Sequence, residues 1–240
     1  MKKYPSFVYC LIALVCLILA GDCFYIEFGH LWLKGLTSFG FLLLGAICLW
    51  LGKKLKIANI KFGVVMVVGL AFAFVADIAL NLHFITGAAL FAVGHIFYFA
   101  SYCILQKFRW QDLLYGAAIF VPSVLLITLA PMFNFGGIVM ELVCVVYAII
   151  ISCMVGKAIS NFVKVKNLTN IIIMLGSIFF FFSDLMLLLN VFGNLPRVVD
   201  ILCLVTYYPA QIALAISVLN SAIVKDENLG NAQSAQQDGN

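Results

Sequence analysis

Charge is what this sequence has least of. Asp, Glu, Lys and Arg together make up 10% of its 240 residues, against about 25% in an ordinary soluble domain. Apolar residues fill 65% of the chain and the mean hydropathy is +1.15. No soluble fold of this length has interior enough to hide that much apolar surface, so part of the solvent must be lipid. A cytosolic enzyme, a disordered chain and a nucleic-acid-binding protein are excluded. The net charge of +4 is too small, and too scattered, to track a phosphate backbone. Metal and cofactor motifs are also lacking, so neither group is expected. Cysteines are present, but none stands in a CxxC or Cys/His spacing. Cys10, Cys16, Cys23, Cys48, Cys103, Cys144, Cys153 and Cys203 mostly lie in apolar runs and read as small buried hydrophobes. The first apolar run follows Lys2 and Lys3 as a signal peptide's would. No small-residue cleavage site precedes a soluble domain, so it is taken as a transmembrane helix.

What is present is a series of apolar runs, each near the 20 or so residues a helix needs to cross the hydrocarbon core. They fall at about 5–21, 31–51, 62–82, 84–106, 113–132, 137–157, 169–192 and 198–222. Strands of a membrane barrel would instead alternate in short segments. The expected fold is all-α: a polytopic bundle of eight transmembrane helices forming one domain over residues 1–224. A polar tail, 225–240, is expected to be disordered and cytoplasmic. Twelve of the fourteen basic residues fall on one side if both termini are cytoplasmic; only Lys34 and Arg197 fall on the other. There is also a faint internal echo. Phe74-Val-Ala-Asp77 and Phe181-Phe-Ser-Asp184 are each followed by an Asn, a Phe and a tyrosine-bearing helix. A weak parallel four-plus-four repeat would produce this.

An ionisable group at bilayer depth costs about 2.5–3.5 kcal/mol on insertion scales, and such residues usually face the bundle interior and carry function. The acids read at depth within the expected helices are Asp77, Glu141 and Asp184. Glu141 stands near a helix end and can reach the interface. Asp77 and Asp184 lie deeper, each about two-thirds along a helix of the same direction. Other polar groups sit at compatible depth. His95, Tyr98 and Tyr102 share a helix face, and so do Tyr207, Tyr208 and Gln211. Asn81 and Asn190 lie one to two turns beyond the aspartates. An interior acid pair lined by Asn, His, Tyr and Gln describes a wet cavity better than a packing seam.

These residues resemble the YhhN-like membrane proteins, a family that includes the lysoplasmalogenases. The likeness rests on three motifs: Ala76-Asp77 with Leu80, Gly87 and Phe91-Ala-Val-Gly-His95-Ile-Phe-Tyr98; Ser183-Asp184 with Leu188, Asn190 and Phe192; and Thr206-Tyr207-Tyr208-Pro-Ala-Gln211. Departures are Ala76, where the family often has glycine, and a very short link between helices 3 and 4. The resemblance implies hydrolysis of the vinyl ether bond of a lysoplasmalogen to a fatty aldehyde and a glycerophospho-head-group alcohol. It also implies that Asp77 and Asp184 are the catalytic pair and that His95, Tyr98, Asn190, Tyr207, Tyr208 and Gln211 are the family's polar positions; these, with Asn81 beyond Asp77, are expected to contact substrate. The partners implied are the lysophospholipid and the surrounding membrane lipid. The membrane would be that of the endoplasmic reticulum in a eukaryote and the inner membrane in a bacterium.

Vinyl ether hydrolysis needs no serine nucleophile. It needs a proton delivered to the distal alkene carbon and a negative charge near the resulting oxocarbenium ion. Two carboxyl groups in a low-dielectric pocket, one protonated and one charged, supply both. Lys34 or Arg197 is available for the phosphate. A proton- or ion-coupled transporter would use the same paired acids, so this alternative stays open.

Overall fold

A peptide group in the hydrocarbon core must find its hydrogen-bond partner within the chain, and a continuous apolar run does so as a helix. The computed structural model describes residues 5–56, 59–193 and 195–237. Among these there is no strand. The elements are α1 (Pro5–Phe28), α2 (Leu31–Lys54), α3 (Ile60–Leu82), α4 (Phe84–Leu105), α5 (Gln111–Leu129), α6 (Ile138–Lys164), α7 (Leu168–Gly193) and α8 (Val198–Gln237). All eight are long and apolar enough to cross a membrane, so the chain is the expected all-α, multi-pass membrane protein.

α1, α6 and α8 run furthest past their expected ends. α1 continues past residue 21 to Phe28, because Asp22 turns inward and is buried rather than closing the helix. α6 continues past residue 157 to Lys164, because the Lys157 charge is neutralised inside the bundle: its Nζ donates to Asp112 Oδ2 over 2.7 Å and to the Lys107 carbonyl over 3.1 Å. Lys164 and Ser160 also bond to Asp112. In α8 the apolar span ends at Leu219, but helix backbone continues through the polar residues to Gln237. No proline interrupts that stretch. Residues 238–240 lie outside the described residues. The cysteines divide in a way their spacing does not show. All are unpaired, and Cys10, Cys16 and Cys23 face outward from α1 whereas Cys48, Cys144 and Cys203 are buried.

Packing builds a ring. α2, α3, α4, α6, α7 and α8 contact one another in that order, and α8 closes back onto α2. α1 lies outside on α2 and α8, and α5 lies outside on α6. Overlaying α1–α4 on α5–α8 reproduces much of this. α1 on α2 matches α5 on α6, α2 on α3 matches α6 on α7, and α3 on α4 matches α7 on α8. α2 against α8 matches α6 against α4. The correspondence is then inexact: the backbones of α3 and α8 approach closely across the ring, whereas α7 and α4 meet through side chains, with Tyr102 and Ser177 hydrogen-bonded at 2.8 Å and the His95 and Phe180 rings 4.7 Å apart.

Lipid offers no hydrophobic drive between helices, so close packing through small residues holds them together. A Cβ on Gly156 of α6 would stand 2.3 Å from the Gly116 backbone nitrogen of α5. One on Gly87 of α4 would stand 2.3 Å from Leu80 Cα, so the hairpin of α3 and α4 turns through His83 alone. We expect Gly156→Val to lower the thermal midpoint in detergent, by a cost of about 1–3 kcal/mol or more, since the obstacle is backbone. Gly35→Ala, whose nearest neighbour is Ile78 at 3.8 Å, should leave the midpoint unchanged.

Candidate functional site

Asp77 stands 17 residues into α3 and Asp184 stands 16 residues into α7. At 1.5 Å per residue this is roughly 25 Å along each helix. Alternate crossing sends both helices the same way, so the two acids reach one level of the bundle. Each is then met by side chains from two further helices.

Asp77 is buried. Ser38 Oγ donates to its Oδ2 over 2.6 Å, Tyr207 OH donates to the same oxygen over 2.7 Å, and Lys34 Nζ stands 3.7 Å from Oδ1. Lys34 and Ser38 are one turn apart on α2, so a single face of that helix supplies the cation and the hydroxyl. Lys34 is itself buried, with Nζ 5.4 Å from the Tyr25 ring centroid. A supporting layer holds these donors in place. Tyr98 OH donates to Gln211 Oε1 over 2.9 Å, Gln211 Nε2 donates to Tyr207 OH over 3.1 Å, and Tyr208 OH lies 3.2 Å from Ser38 Oγ. Asn81 Nδ2 donates to the Asp77 carbonyl over 2.8 Å.

Asp184 has a different set. Tyr147 OH donates to its Oδ2 over 2.6 Å, and His95 Nε2 stands 3.2 Å from that oxygen and 2.8 Å from Tyr147 OH. Between the two clusters lies Phe180, whose ring centroid is 4.7 Å from that of His95 and 5.4 Å from that of Tyr207. The repeat reaches into the site. Each aspartate takes a hydroxyl from the second helix of its own half, Ser38 or Tyr147. Each also takes a ring group from the fourth helix of the other half, Tyr207 or His95. Lys34 belongs only to the first half.

Both carboxyl groups line one polar chamber of about 220 Å³. Lys34, Asn81, Asn190, Asp200 and Tyr207 contribute its other polar walls. Several waters fit there, at about 30 Å³ each. Of the residues expected to contact substrate, Asn81, Asn190 and Tyr207 line this chamber. His95, Tyr98, Tyr208 and Gln211 do not; they are buried one layer behind and orient the groups that do. Tyr102, on the same face of α4, bonds instead to Ser177 at 2.8 Å. Arg197 donates to the Ile26 carbonyl over 2.9 Å and does not line the chamber, whereas Lys34 does. No hydrogen bond joins the two carboxyl groups among the described residues, so a proton bridging them directly is not the arrangement. Each acid keeps its own donors, and both line the chamber.

Several participants escaped the sequence, Tyr25 beside Lys34 among them. Ser38 and Tyr147 are ordinary helix residues until the fold aims them. Asp200, at the start of α8, is bonded by Asn190 Nδ2 over 3.3 Å. Asp22 is a further buried acid, and its Oδ1 has no hydrogen-bond partner among the described residues. The spacing of Lys34 and Ser38 was the one signal available, since residues four apart share a helix face.

A model of the YhhN family matches residues 37–218. This is more than half of the chain and includes every residue of the site named above except Asp22, Tyr25 and Lys34. No curated protein and no solved structure matches.

Removing one member of a buried ion pair leaves the other uncompensated, at a cost of about 3–5 kcal/mol. Lys34→Met should therefore unfold at markedly lower SDS concentration than the parent protein, as followed by circular dichroism. Lys34→Met/Asp77→Asn should recover most of the loss, because no bare charge remains.

Proposed function

The chain belongs to the YhhN family, and on that premise we propose that it hydrolyses the vinyl ether bond of lysoplasmalogens. The products are a fatty aldehyde and a glycerophospho-head-group alcohol, glycerophosphoethanolamine or glycerophosphocholine. The observation that carries this proposal is the pair of carboxyl groups, Asp77 and Asp184, facing one polar chamber inside a membrane bundle. An amphiphilic lipid can reach such a chamber, and a water-soluble substrate gains nothing from it.

The chemistry follows from what the chamber holds. One aspartic acid transfers its proton to the distal alkene carbon, and the π electrons that form the new C–H bond leave an oxocarbenium ion. The other carboxylate faces that cation and stabilises it through a low-dielectric space. Water adds to the cationic carbon and gives up a proton to a carboxylate, which restores the proton spent. The hemiacetal then collapses to aldehyde and alcohol. One water is consumed and no acyl-enzyme forms. Ser38, Tyr207, Tyr147 and His95 keep the carboxyl groups aimed inward, so little reorganisation accompanies the charge development.

A proton- or ion-coupled transporter is the second reading, and the parallel repeat with its paired acids favours it. Against it, α3 and α7 are unbroken helices through both aspartates, and Pro122 in α5 and Pro209 in α8 do not occupy corresponding positions. Uptake into liposomes without bond cleavage would support transport.

General acid–base groups contribute about 10²–10⁴-fold. Asp77→Asn and Asp184→Asn should each lower aldehyde release from a vinyl-ether lysolipid by about 100-fold or more while still inserting and eluting as the parent does. The ester-linked counterpart should release no aldehyde from any of the three proteins. Near-normal release from both purified variants would reject the acid pair.

A further inference from the structure

We infer that the apolar groove between α4 and α7 seats a single hydrocarbon chain, so that a bound amphiphile lies with its head in the polar chamber and its head–tail junction against Asp184. The binding part of this inference stands on geometry alone. Its catalytic consequence rests on the function proposed above.

The groove lies where α4, α5, α6 and α7 meet, and α5 and α6 close its back. Its walls include Ala88, Ile127, Cys144, Ala148, Leu188 and Phe192. The polar groups that line it are already committed. Ser123 Oγ donates to the Ile119 carbonyl of its own helix over 2.7 Å, and Tyr147 OH donates to Asp184. A head group entering here would find no hydrogen bond except at the Asp184 end, whereas methylenes need none. Its walls are almost wholly apolar, unlike those of the chamber, and so suit a hydrocarbon tail.

The groove and the chamber adjoin. Leu80, Phe84, Phe91, Asp184 and Leu187 line both. Asp184 is the one ionisable residue in that shared wall. Asp77 belongs to the chamber alone, beside Lys34. An occupant that is apolar at one end and phosphate-bearing at the other meets matching surfaces in sequence: groove, Asp184, then the Lys34 cation. In such a ligand the bond next to the tail falls at Asp184. That placement makes Asp184 the proton donor and leaves Asp77, held by Lys34, Ser38 and Tyr207, as the charged partner. It also makes Ala148, a 6% exposed residue in the groove wall, a determinant of chain length.

The test uses the full-length protein in detergent micelles with two non-cleavable probes. Both are lysophosphatidylethanolamines with an alkyl ether link; one carries a photoreactive diazirine near the tail end and the other carries it beside the ether oxygen. Peptide mapping after irradiation should place the tail-end probe on the stretches 123–151 and 181–192 and the ether-side probe on Asp184. Ala148→Trp should weaken tail-end labelling by a long-chain probe about tenfold, as expected when about two methylenes lose their seat, and should leave an eight-carbon probe unaffected. If Ala148→Trp does not fold, Ala148→Leu should show a smaller shift of the same sign. Leu142→Trp, on the outward face of the same helix at 60% exposure, should change neither probe. In turnover, Ala148→Trp should raise KM for long-chain vinyl ethers about tenfold with kcat within about twofold. Labelling confined to outward-facing residues, or unchanged by Ala148→Trp, overturns the inference. Correct labelling in a parent protein that releases no aldehyde leaves the groove intact and defeats the vinyl ether hydrolase instead.

Discussion

Everything in this structure depends on the absence of water inside the hydrocarbon core. An ionisable side chain placed there must turn away from lipid and find partners within the protein. Asp22, Lys34, Asp77, Asp112, Lys157 and His95 are all buried in helices that are otherwise apolar. The bundle answers this constraint in two places. Near one end, Asp112 gathers Lys157, Lys164 and Ser160 into a closed cluster that packs α5 on α6. At the level of Asp77 and Asp184 the polar groups are not closed on themselves. They surround a chamber, and that difference separates a structural clamp from a place where chemistry can occur.

The chamber owes its form to matching helix contacts in the two halves of the chain. Matching helices supply matching donors to the two acids, so Ser38 and Tyr147 do the same work from α2 and α6. The two carboxyl groups are nevertheless unequal. Asp77 has a nearby cation, tight hydroxyl contacts and complete burial. Asp184 has a histidine and a tyrosine, and it stands in the wall shared with an apolar space. A reaction that needs one proton donor and one fixed negative charge needs this inequality. A symmetric pair would have to create it by coupling alone.

Rigidity around the acids comes from residues that never touch the chamber. Phe180, packed against His95 and Tyr207, keeps the two clusters apart, and Gln211 joins Tyr98 to Tyr207. Hydroxyl and amide groups buried among aromatic rings have few alternative partners, so each is held near one orientation. This layer explains why His95, Tyr98, Tyr208 and Gln211 stand out among apolar residues although none of them lines the cavity.

Much of this was legible in the residues. Apolar run length gave the eight helices, since the bilayer thickness sets it and no tertiary information is required. The two aspartates stood out by their cost, and the echo around them agrees with the matching helix contacts of the two halves. Helical spacing placed Tyr207, Tyr208 and Gln211 on one face. The helix ends at Phe28 and Lys164 were hidden, because whether a charge stops a helix depends on whether a partner such as Asp112 meets it. Ser38 and Tyr147 were hidden too. A serine or tyrosine in an apolar run looks the same whether it faces lipid or a carboxylate 37 or more residues away in the chain. The sequence by itself therefore determined what must be inside, through the price of leaving it in lipid. Only the tertiary structure decided which buried groups meet across the bundle, because that follows from how α3 lies on α8 and α4 on α7, and helix period carries no record of it.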